Sequence, residues 1–251
     1  MRCIFCKSDS SKSITIEHII PESLGNIEHT LPHGVICDNC NNYFSHEVEK
    51  PLLETEYFIY LRFQKRIFSK KGIIPRIKGF YLNAGSEVEF SRNNDEIFVY
   101  PQNDHEIDKF IEHLDKDKKG TILIPVPPEP NQYLMARFLA KIGLEVMAQR
   151  VLDVPGGLNE IIDKPELDEI RNYARRGDPK KKDWIFNKRK IYPEDAIFYE
   201  DSYSQFDILH EYMLLYTPAQ ELYFVIAFFG IEYAINMGEL CTMLSVNCNE
   251  R

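Results

Sequence analysis

The chain has 251 residues, 44% of them apolar and 12% aromatic, with a formal net charge of −9. That apolar content excludes a disordered polyelectrolyte and suffices for one large domain or two modest ones. The acidic balance argues against indiscriminate polyanion binding, but it is uneven: residues 57–86 and 171–190 each carry a net +7, leaving −23 for the rest.

Arg2, Lys7, Asp9 and Lys12 interrupt any N-terminal apolar stretch, so no secretory signal is expected and the protein is placed in the cytoplasm. The longest apolar run, 222–238, is broken by Glu232 and falls short of the ~20 residues that span a bilayer. It reads as core, and no membrane partner is expected. Four of the six cysteines form the pairs Cys3-x-x-Cys6 and Cys37-x-x-Cys40. Two such knuckles can set four thiolates tetrahedrally round one zinc ion, which closes its coordination sphere and makes the metal structural.

Between the knuckles, residues 13–20 are rich in β-branched side chains and read as a strand ending near His18, closed by Pro21. A loop should cover 21–34, and Val35-Ile36 should form a short return strand. A helix is expected from Asn41, where Tyr43, Phe44, Val48, Leu52, Leu53, Tyr57, Tyr60, Leu61 and Ile67 recur at three- and four-residue spacing. Pro51 could break it or begin a second helix. Glu17-His18 is the adjacent acid–base pair of this segment. An imidazole with an ordinary pKa near ~6.5 can accept a proton at neutral pH. Strand neighbours point to opposite faces, so the two can serve one site only where the strand ends or distorts. Asn41 offers an amide oxygen or a helix cap. Asn42 and His46 share a helix face and form an alternative metal pair.

The basic stretch 57–86 interleaves Tyr57, Phe58, Tyr60, Phe63 and Phe68 with Arg62, Lys65, Arg66, Lys70 and Lys71. Such a mixture can hold phosphates and pack on bases, or it can be an amphipathic helix with solvated charges. Three short strands are expected over 79–101, a helix over 104–114, a strand over 121–126 and a strong helix over 134–152, stopped by Gly156-Gly157. Another helix should follow over 165–176, and strands with a turn near Pro218-Ala219 over 211–236. The run Lys180-Lys181-Lys182 reads as a solvated charge run or a nucleic-acid contact, and Cys241 and Cys248 read as free core thiols.

The order Cys-x-x-Cys, acid-His, Cys-x-x-Cys-Asn resembles the HNH endonucleases, specifically the zinc-stapled branch typified by endonuclease VII. The phrase Glu17-His18-Ile19-Ile20-Pro21-Glu22-Ser23-Leu24-Gly25, continued by Cys37-Asp38-Asn39-Cys40-Asn41, is similar to a stand-alone bacterial HNH family over residues 1–55. The resemblance implies a treble-clef or ββα-metal finger, with His18 as the general base and Glu17 and Asn41 holding one divalent ion, magnesium or another. It also implies hydrolysis of DNA phosphodiester bonds, with RNA an alternative substrate, in bacterial defence or mobile-element biology. Longer HNH motifs carry a central Asn shortly before the second knuckle, where this chain has His33. Asn26, His29 and His33 are the candidates to orient His18. The expected fold class is α+β: an HNH module over 1–55 and an α+β region over 56–251 that recognises nucleic acid or a partner. A homo-oligomer is compatible with this reading. The alternative is a zinc ribbon that binds nucleic acid or protein without cutting.

Overall fold

The computed structural model describes residues 1–69, 71–93, 96–117, 119–180, 184–193, 196, 198–199, 205–206 and 209–238. Its elements run β1 (Glu17–His18), β2 (Thr30–Leu31), α1 (Asp38–Phe44), α2 (Lys50–Leu53), α3 (Glu56–Gln64), β3 (Ile77–Tyr81), β4 (Ser86–Asn93), β5 (Glu96–Pro101) and α4 (Ile107–Asp117). They continue with β6 (Ile122–Leu123), α5 (Gln132–Arg150), α6 (Gly157–Asp163), α7 (Asp168–Arg176), β7 (Phe186–Lys190), β8 (Phe198–Tyr199), β9 (Gln205–Phe206), β10 (His210–Tyr216), β11 (Leu222–Phe228) and β12 (Ile231–Asn236). The fold is mixed α+β, as expected. It divides into two compact units, one of residues 1–21, 26–52 and 131–251, the other of 22–25 and 53–130.

In the first unit, β1 pairs antiparallel with β2, Glu17 opposite Leu31 and His18 opposite Thr30. The return strand is therefore β2, and not Val35-Ile36 as the sequence suggested. Asn26 explains the register, because its side-chain amide donates to the carbonyls of Ile20 and His29 while its Oδ1 accepts from the His29 N–H. The helix begins at Asp38, earlier than expected, with Cys37 as the N-cap residue. It passes through a wider π-helical turn at Ser45–Glu49 into α2. Pro51 lies within α2 and has no N–H to offer the Glu47 carbonyl, a loss that a widened turn accommodates.

Helix α5 is capped by Asn131, whose side chain accepts from the Leu134 N–H at 3.0 Å. It is buried on every face from Met135 to Ala148. One side packs on the antiparallel sheet β10-β11-β12-β7. Gly143 allows that approach: a Cβ there would stand 2.8 Å from the Met237 sulfur and 3.1 Å from the Phe224 Cβ. Trp184, fully buried, donates its indole N–H to the Asn236 carbonyl at 2.8 Å. Helix α6 starts where the sequence suggested only a stop: Gly156, at φ 80°, precedes its first turn.

The second unit packs α3 and α4 with the antiparallel sheet β5-β4-β3-β6. The expected three-strand meander is present as β3, β4 and β5. The core is built from Phe63, Ile74, Ile77, Tyr81, Val88, Phe90 and Phe110. Tyr57 and Phe58 are buried too, so most aromatics of the basic stretch are core and not stacking surface. Of the basic candidates, Arg62 is buried, Lys65 is half-buried, Arg66 and Lys71 are exposed, and Lys70 lies outside the described residues. Lys181, Lys182, Cys241 and Cys248 also lie outside them.

Candidate active site

The four knuckle sulfurs all lie within 4.8 Å of one another. A tetrahedral zinc ion with Zn–S bonds of ~2.3 Å needs sulfurs about 3.8 Å apart, so the cluster is compatible with structural zinc. Local backbone explains the geometry. The first knuckle is a turn in which the Lys7 N–H donates to the Cys3 carbonyl and the Cys3 N–H to the Ser8 carbonyl, both at 2.9 Å. The second places Cys37 before α1 and Cys40 in its first turn. Gly34, at φ 86°, keeps the approach tight: a Cβ there would meet the Ser10 carbonyl and the Met1 sulfur at 3.0 Å. Hydrogen bonding from the Cys40 thiol, aided by the N–H groups of Cys6, Cys37 and Phe5, pulls the Cys3 thiol down to about 4. Cys40 shifts upward through its bond with Cys3, and Cys37 shifts upward through burial. Cysteine binds a metal as the thiolate, and a divalent ion supplies the charge that favours this form.

Strand β1 ends at His18, the condition under which neighbouring side chains can address one site. Glu17 faces inward with Leu31, while His18 is half-buried on the other face. Asp38 ties the approach to β1 onto the start of α1: its carboxylate accepts from the Thr15 hydroxyl at 2.7 Å and from the N–H groups of Thr15 and Ile14. The Thr15 hydroxyl first, then these amides, hold the Asp38 carboxyl below its ordinary value. Asn41 lies inside α1, half-buried, with its N–H on the Cys37 carbonyl. It is therefore not the helix cap, and its side-chain oxygen can be considered as an ion ligand. Asn42 and His46 are both exposed.

Three other residues complete the environment of Glu17. The Lys141 ammonium, fully buried on α5, contacts Glu17 Oε1 at 2.7 Å, Glu49 Oε1 at 2.8 Å and Glu145 Oε2 at 3.0 Å. Burial alone would favour a neutral amine, but Glu145, Glu17 and Glu49 outweigh it and hold Lys141 well above the ordinary lysine range. Burial raises Glu17 despite the Lys141 charge, and raises Glu145 much further. Glu145 Oε1 is buried without a hydrogen-bond partner. One ammonium cannot sustain the buried Glu17 and Glu145 and the half-buried Glu49 all as carboxylates, and Glu145 is the group best placed to stay neutral.

Arg137, Lys141, Glu145 and Gln149 form a polar spine at four-residue spacing along α5. Arg137 donates to the Tyr43 hydroxyl at 2.8 Å and to the carbonyls of Ala174 and Arg175. Gln149 accepts from the Tyr212 hydroxyl, which also contacts His29 Nδ1 at 3.1 Å. Through this spine, α5 meets residues 17, 29, 43 and 49 of the N-terminal segment, directly or through Tyr212. The sequence reading missed it, although charged residues four apart in an otherwise apolar helix are a visible signal. Of the candidates to orient His18, Asn26 staples the loop, His29 meets Tyr212, and His33 Nδ1 lies 3.2 Å from the Thr15 carbonyl.

The HNH endonuclease family model matches residues 3–55, a segment that contains both knuckles, Glu17, His18 and Asn41. The resemblance read from the sequence holds for this segment. No curated protein and no solved structure matches the chain. The match suggests a nuclease acting on nucleic acid and implies a divalent metal, while the four cysteines are compatible with structural zinc. Among the described residues, no helix is long and apolar enough to cross a membrane.

Proposed function

We propose that the protein is a metal-dependent endonuclease that hydrolyses DNA phosphodiester bonds, with His18 as general base and a divalent ion, magnesium, held by Glu17 and Asn41. The observation that carries this reading is the family match over a segment where a zinc-fitting cluster takes in the first turn of the helix bearing Asn41 and a carboxylate tether binds the approach to β1 onto that helix. A carboxylate and an amide oxygen are the donors a hard, partly hydrated ion prefers. When bound, the ion stabilises charge on the scissile phosphate and the leaving 3′ oxygen. His18 accepts the proton of the attacking water, a role suited to an imidazole at neutral pH. Lys65, Arg66 and Lys71 are candidate phosphate contacts, and the cytoplasm is the proposed compartment.

Supercoiled plasmid incubated with zinc-loaded protein and magnesium or manganese tests the proposal. Nicking should require the added ion and fall at least ~100-fold in His18→Ala, with zinc content unchanged. Equal cutting by His18→Ala, or no cutting of DNA or RNA with any divalent ion, refutes it. The latter result supports a second reading, a zinc module that binds without cutting. That reading draws on the bond by which Lys141 already occupies Glu17 Oε1.

A further inference from the structure

We infer that Lys141 is the positioning residue of the ion site, so that helix α5, 124 positions from Glu17, completes a site whose proposed ligands all lie in the first 55 residues. The inference rests on the reading of Glu17 as an ion ligand. Carboxylates that bind metals are generally oriented by a second group on the oxygen that faces away from the metal. Lys141 is such a group: it holds Glu17 Oε1 at 2.7 Å and leaves Oε2 as the oxygen for the ion.

The geometry excludes a direct catalytic part for Lys141. An ammonium has three N–H donors, and here three carboxyl groups, of Glu17, Glu49 and Glu145, stand within 3.0 Å to receive them. No donor remains for a phosphate, and the side chain is fully buried at the centre of a helix with no exposed face from Met135 to Ala148. Glu145 steadies the ammonium from the next turn of α5, and Glu49 does so from the π-helical turn that follows α1. A strand of two residues cannot by itself fix a three-torsion Glu side chain, and the anchored ammonium supplies the missing constraint. Apolar residues of similar volume would stabilise such a core as well or better, so the charge is better explained by orientation than by stability.

The test uses full-length, zinc-loaded protein and Mn2+ as the probe, with binding measured by calorimetry and electron paramagnetic resonance. Glu49→Gln/Glu145→Gln keeps the Lys141–Glu17 pair and an amide oxygen for each of the other two ammonium N–H groups, and serves as the reference for Mn2+ binding. Adding Lys141→Met to that double variant keeps the volume and removes only the group on Oε1. It should bind Mn2+ about 10- to 100-fold more weakly, and kcat should fall while KM for DNA is unchanged. If this triple variant is folded and binds Mn2+ as the double does, the inference fails. Glu17→Gln in the parent separates the two levels: unchanged Mn2+ binding there means Glu17 is not a ligand and the functional reading itself is wrong. Should the triple variant not fold, ammonium-selective nitrogen NMR of the parent decides. Mn2+ should broaden the Lys141 resonance strongly at saturation, and a resonance left sharp overturns the inference.

Discussion

Arg171→Met should loosen the zinc cluster from a position far outside it in sequence. The guanidinium is 2% exposed and donates through Nε to the Ile4 carbonyl, inside the first knuckle, and through Nη2 to the Ile161 carbonyl, both at 2.7 Å. Nη1 pairs with Asp168, which keeps Lys7 at 2.6 Å when the arginine is gone. Met fills most of the stem but leaves two buried carbonyls unpaired, at about 1–3 kcal/mol each. Relief of the guanidinium's own desolvation, visible as a lowered pKa, offsets part of this and puts the expected loss at about 2–4 kcal/mol. For a chain of this size that is a drop of at least ~4 °C in the melting midpoint of the zinc-loaded protein. Zinc transfer to a chromogenic chelator should also accelerate, because the Cys3–Cys6 turn has lost its tether to α7. Arg171→Lys should not rescue, since one ammonium lacks the planar fork that serves two carbonyls at once. A loss below ~1 kcal/mol with an unchanged rate of zinc release refutes the reasoning.

Cys37→Ser should abolish stoichiometric zinc and melt the knuckle segment, because structural zinc contributes on the order of 10 kcal/mol to such modules; a folded, zinc-free variant of parental stability, judged by circular dichroism and metal analysis, counts against it. Asp38→Ala should destabilise at neutral pH. The folded Asp38 carboxyl lies below its ordinary value of ~3.9, so its contribution is present above that pH and fades as pH falls through the lower folded value; melting curves of variant and parent should converge in acid. His210 is lowered first by burial and then by the adjacent His29 ring, so its neutral form stabilises the fold. The parent should lose stability as pH drops below ~6.5, and His210→Phe should flatten that part of the profile in pH-resolved denaturant titrations.

The knuckle spacing, the meander over β3 to β5 and the helices near 134–152 and 165–176 were legible because each is written within a few residues. Cys-x-x-Cys closes one turn, alternation marks a strand, and a four-residue recurrence marks a helix. The return strand was misplaced because its register follows from Asn26 bridging Ile20 and His29, and no residue of β2 announces such a bridge. Arg171 belongs by sequence to a basic run over 171–190, yet it is a buried clamp on the first knuckle. Charged residues in a helix default to solvent in any periodicity reading, so the burial of Arg137, Lys141 and Glu145 follows only from the packing of α5 on every side. By itself, the sequence determined a zinc-fitting scaffold and the acid–histidine pair between its halves. Only the tertiary structure decided which charges are desolvated and against whom, because that depends on partners such as Glu17 and Lys141, 124 positions apart, whose pairing leaves no mark in local spacing.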